Sequence, residues 1–125
     1  MNTQAQCSCQ TAPKLIFPCS GASDVGSLSD QAARQMTLDL MGKMYCLAGI
    51  GGRVDGILAN TKTAAAVLVI DGCKEECARK TLELAGFKDF QHLKLAEMGF
   101  KKGETPVTPA RIREVATKGA ELLAC

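Results

Sequence analysis

The sequence predicts an α/β fold: one domain with a largely parallel four-stranded sheet, helices on both faces, and cysteines at the carboxyl ends of the strands. Three observations lead there. Strand-like apolar runs alternate with helix-like segments four times along 125 residues, the pattern of a parallel sheet joined by right-handed crossovers. The run Ala66-Val67-Leu68-Val69-Ile70 is unbroken and is stopped by Asp71-Gly72, as befits a strand buried on both faces. Three of the four strand ends carry a cysteine beside a glycine, namely Pro18-Cys19-Ser20-Gly21, Tyr45-Cys46-Leu47-Ala48-Gly49 and Asp71-Gly72-Cys73.

Residues 1–13 are polar, lack a periodic pattern and contain Cys7 and Cys9; they are expected to form a flexible tail, with the single domain spanning 14–125. The first strand is expected over 14–19, closed by Pro18, which has no N–H to give to a ladder. A loop of small residues, 20–27, follows. A helix from Ser29 to Met41 places Ala32, Ala33, Met36 and Leu40 inward, with Gly42 as its stop. A second strand is expected over 43–47, then a glycine-rich turn over 48–52. A short helix from Arg53 to about Asn60 would bury Val54, Ile57 and Leu58. After the central strand, a helix from about Lys74 to Ala85 carries Cys77, Ala78, Leu82 and Ala85 on one face. The run 90–95 alternates as an edge strand does. Thr108-Pro109 then opens the last helix, by the rule that a capping residue precedes a first-turn proline.

Composition narrows the function. Fifteen basic and 13 acidic residues give a net charge of +2, which leaves no electrostatic footprint for nucleic acid. One tyrosine and no tryptophan argue against a base-stacking platform. No apolar run approaches the ~20 residues of a membrane span, and the N-terminus lacks the apolar core of a secretory signal. The expectation is a cytoplasmic protein without membrane or nucleic-acid partners. Seven cysteines in a reducing compartment then point to metal binding or thiol chemistry, because an odd number cannot pair completely within one chain.

In a parallel sheet the three cysteine-bearing strand ends share one edge, with neighbouring strands ~4.8 Å apart. Cys77, four residues beyond Cys73, adds a further thiol on the same face if Cys73 opens the helix. Cys19, Cys46, Cys73 and Cys77 are thus candidate metal ligands, a full tetrahedral set for zinc and equally a set for an iron–sulfur cluster. Asp71 and Arg53 are candidates for a supporting role, Asp71 by orienting the ligand turn and Arg53 by neutralising excess thiolate charge. Disulfides between Cys73 and Cys77 or between Cys19 and Cys46 are alternatives, as is a thiol-redox or sulfur-transfer enzyme using Cys19 or Cys73 with Cys77. A thiolate phosphatase is disfavoured, because Val25 stands where its phosphate-clamping arginine is needed. Gly49 to Arg53 lacks the spacing of a nucleotide-binding loop. His92, the one histidine, is expected at the surface, and Cys125 is expected to be a free thiol without a role.

The segments Phe17-Pro18-Cys19-Ser20-Gly21, Asp24-Val25-Gly26, Met44-Tyr45-Cys46-Leu47-Ala48-Gly49-Ile50-Gly51-Gly52 and Asp71-Gly72-Cys73 with Cys77 together resemble the DGC-domain family of small microbial proteins. The resemblance covers about residues 14–100. It implies zinc binding through four chelating cysteines, a role that falls on Cys19, Cys46, Cys73 and Cys77. It implies no particular reaction.

Overall fold

Leu15, Ile16 and Phe17 are all buried, yet they cannot share one layer, because successive side chains of a strand point to opposite faces. In the computed structural model, which describes residues 12–124, that conflict is resolved by covering the sheet on both sides. Strand β1 (Lys14–Pro18) sends Ile16 to one side and Leu15 and Phe17 to the other. Strand β3 (Ala66–Asp71) does the same with Leu68 and Ile70 against Val69. The two pair in parallel from Lys14 with Ala66 to Pro18 with Ile70. Strands β2 (Lys43–Met44) and β4 (Gln91–Lys94) add in parallel at the two edges, giving the order β2-β1-β3-β4. The predicted α/β fold with a four-stranded parallel sheet and helices on both faces is thus what forms. The tail thiols Cys7 and Cys9, and Cys125, lie outside the described residues.

One layer holds α1 (Asp24–Leu38) and α5 (Pro109–Leu123), whose Val25, Leu28, Met36, Val115 and Leu123 pack with Ile16, Leu68 and Ile70. The other holds α2 (Leu47–Gly51), α3 (Asp55–Lys62) and α4 (Cys77–Leu84), with Ile50, Ala78 and Leu82 against Phe17 and Val69. Helix α5 starts where the sequence says. Thr108 Oγ1 accepts the Arg111 N–H at 3.2 Å, and Pro109 fills the first helical position.

Several boundaries differ from expectation, each for a local reason. Helix α1 begins at Asp24, not Ser29, because Ser23 caps it: its Oγ accepts the Gly26 N–H at 3.1 Å. The helix ends at Leu38, so Leu40, expected inward, is exposed in a left-handed conformation at φ 60°. Strand β2 keeps only two paired residues of the expected 43–47, and Leu47 with most of the expected turn 48–52 coils into α2, which buries Ile50. Val54 precedes α3 and is 49% exposed rather than inward. Helix α4 begins at Cys77, three residues later than expected, because Glu76 sits in the left-handed region at φ 55° and interrupts the path from Cys73. A 3₁₀ turn, Leu95–Met98, follows β4 and was not expected.

Candidate functional site

The sheet order makes β1 the strand from which the chain departs first to one side, to β2, and later to the other, to β3. The crevice beyond the carboxyl ends of β1 and β3 is therefore the topological switch point, where open α/β sheets place their ligands. Cys19 and the Asp71-Gly72-Cys73 turn meet there. The Cys19 N–H donates to Ile70 O at 2.9 Å, extending the ladder one residue past β1. In return the Gly72 N–H faces Cys19 Sγ at 3.4 Å.

The turn is built by its first two residues. Asp71 is 1% exposed, and its carboxylate accepts from the Ala78 N–H at 2.8 Å and the Arg79 N–H at 3.1 Å. It therefore caps α4 from the end of the strand, satisfying two of the N–H groups a helix start leaves open. His92 on β4 completes the set, with Nε2 2.7 Å from Asp71 Oδ2. Because a carboxylate only accepts, Nε2 of His92 carries the proton. His92 is 16% exposed, so it is a held residue between two strands and not the surface group the sequence suggests. Gly72 has a different task. A Cβ there would lie 2.6 Å from the backbone C and O of Val25, so only glycine lets β3 meet the first turn of α1.

The four described cysteines are all free. Cys46 immediately precedes α2, and Cys77 opens α4; both are exposed. Cys19 is half-buried against the Phe17 and Val69 layer, whereas Cys73 leans on the Ile16 and Ile70 layer. The thiols thus share an edge but Cys73 turns to the opposite side from Cys19. The helical spacing expected between Cys73 and Cys77 does not exist, since a turn and Glu76 separate them. Among the described residues, no three His, Cys, Asp or Glu side chains stand close enough together to hold a metal ion. Arg53, in a left-handed conformation, donates to the carbonyls of Ile50 at 2.8 Å and Leu84 at 3.2 Å. It ties the C-terminal ends of α2 and α4 together, as a cation at helix ends does well.

Asp24 is the site residue least legible in the sequence. Its Oδ1 accepts from Val25 N–H and from Gly103 N–H at 2.9 Å, and its Oδ2 accepts from Thr105 N–H at 2.9 Å. The sequence reads as a loop over 20–27, and nothing local signals that this carboxylate opens a helix and holds a second loop some eighty residues away. Donation by Gly103 first, and then by Thr105, holds the Asp24 carboxyl below its ordinary pKa. A lowered folded pKa means stability that is present above the unfolded value and lost as pH falls through the folded one. Asp24→Asn is therefore expected to be less stable than the parent above about pH 4, with the gap closing as the pH drops further. Urea midpoints measured from pH 7 down to pH 2 test this; a gap that stays constant throughout would refute it.

No described helix is long and apolar enough to cross a membrane. The sequence profile of the DGC domain matches residues 15–118. The anaerobic and virulence modulator AnvM of Pseudomonas aeruginosa is 32% identical over 88 residues, which cover 70% of this chain and 67% of that protein. Comparison with solved structures gives no match.

Proposed function

This chain belongs to the DGC-domain family, and on that premise we propose that it is a cytoplasmic zinc-binding protein whose ligands are Cys19, Cys46, Cys73 and Cys77, used for regulation. The observation that carries this reading is that every described cysteine is free and lies at one edge of a parallel sheet. Four thiolates satisfy zinc completely and leave no place for water, so such a site holds the metal without hydrolytic chemistry. Cys73 is the ligand that has to turn, and the 3.4 Å approach of the Gly72 N–H to Cys19 Sγ holds its turn only weakly. Asp71 supports the set by anchoring the helix that begins with Cys77. The similarity to a protein named as a modulator favours a regulatory use. A thiol set that carried an iron–sulfur cluster would instead colour the protein brown.

Elemental analysis of anaerobically purified protein, beside its absorption spectrum, tests the proposal. We expect about one zinc per chain and no visible band. Cys77→Ser is expected to lose most of that metal, because three thiolates and an open position hold zinc less tightly. Full occupancy in that variant would remove Cys77 from the set, and protein with no metal and freely titratable thiols would overturn the zinc reading.

A further inference from the structure

Cys73 opens onto a cavity of 440 Å³ on the side of the sheet away from Cys19. Its wall is unusual for a charge-balanced protein: it is lined by three lysines, Lys74, Lys101 and Lys102, and by one acid, Glu75, while Phe100 and Ala96 supply an apolar surface. The two later lysines sit on a loop that is held in place. Asp24 takes the N–H groups of Gly103 and Thr105, and Thr105 Oγ1 both accepts from Lys101 N–H and donates to Lys101 O, each at 2.8 Å. A half-buried thiol is thus presented to a cationic, partly apolar cleft just large enough for a small organic molecule.

We propose that this cavity binds a low-molecular-weight disulfide bearing carboxylates, and that Cys73 exchanges with it to form a mixed disulfide. The Cys73 thiolate attacks one sulfur of the disulfide, a new S–S bond forms and the old one breaks. Cys73 is oxidised, and the departing half is reduced to a thiol, taking up the proton that Cys73 gave. The lysines meet the carboxylates, and Phe100 covers the aliphatic part. This goes beyond metal binding: a mixed disulfide and a zinc–thiolate bond are alternative states of the same Cys73 sulfur, so the exchange is read on the metal-free chain.

Glutathione disulfide is the probe, and the uncharged 2-hydroxyethyl disulfide is its control. The full chain is treated with each, with and without a chelator, and the first adduct is mapped by peptide mass spectrometry. The first glutathionyl adduct is expected on Cys73, ahead of the more exposed Cys46 and Cys77. In the double variant Lys101→Gln, Lys102→Gln it should form roughly 3- to 10-fold more slowly, because each exposed charge pair contributes modestly. Reaction with the uncharged disulfide should be unchanged. A first adduct on another cysteine, no adduct in the chelator arm, or lysine variants that slow both reagents equally or neither would overturn the proposal. The chelator arm frees Cys73 of any zinc and is the arm that decides, whereas the metal reading is decided by elemental analysis, so the two fail separately.

Discussion

Asp71→Ala is expected to destabilise the protein by about 3–5 kcal/mol, lowering the thermal midpoint by roughly 10–20 °C. The carboxylate is buried, and three N–H groups converge on it from two elements. Removing it strips the start of α4 of its cap and leaves the buried Ala78 N–H without an acceptor, and the cost of an unmet buried donor exceeds the worth of an ordinary hydrogen bond. Asp71→Asn should fall between, since an amide keeps one acceptor but turns a donor toward other donors. Calorimetry or urea unfolding measures the loss. Under the proposed zinc site, the alanine variant should also hold less metal, because Cys77 is the first residue of the helix that Asp71 anchors. An alanine variant within 1 kcal/mol of the parent would show that α4 finds another cap, and would sink this account of the residue.

Gly72→Ala is the second large effect. The methyl group would press on the backbone of Val25 and Gly26, at 2.6–2.9 Å, and backbone inside a helix start cannot step aside as a side chain does. Either β3 loses its approach to α1 or α1 shifts its first turn. Overpacking of this kind costs about 1–3 kcal/mol, occasionally more. The effect should also be visible as faster exchange of the backbone N–H at position 72 and of the Cys19 N–H, because the two ends part. Stability and exchange equal to those of the parent would mean that the close approach is not maintained in solution.

These two residues explain the Asp-Gly-Cys sequence in structural terms: the first caps a helix, the second admits another helix, and the third is left with a thiol to use. The sequence made part of this visible. The apolar run of β3 and the Thr108-Pro109 start of α5 are local signals, written within a few residues, and both elements form where expected. The start of α4 was not visible, because its cap reaches in from β3 and its first bend is made by Glu76, a residue type with no special liking for the left-handed region. The partnership of His92 with Asp71 and the hold of Asp24 on Gly103 and Thr105 are equally long-range. The edge shared by the cysteines follows from strand direction alone. Which side of the sheet each thiol faces depends on how the chain leaves the strand, and spacing carries no trace of that.

The pairing of β1 with β3 has a kinetic consequence. Leu15 has to wait for Val67 before it gains its central neighbour, a separation of ~50 residues, which at a synthesis rate of 5–20 residues per second means about 3–10 s. During that interval Leu15, Ile16 and Phe17 leave the ribosome with no central partner strand, and Cys19 follows them unshielded. Contacts closed over such distances slow folding. The Cys19–Gly72 corner therefore comes together only with the central sheet, so a partly folded chain offers unpaired thiols but no assembled crevice.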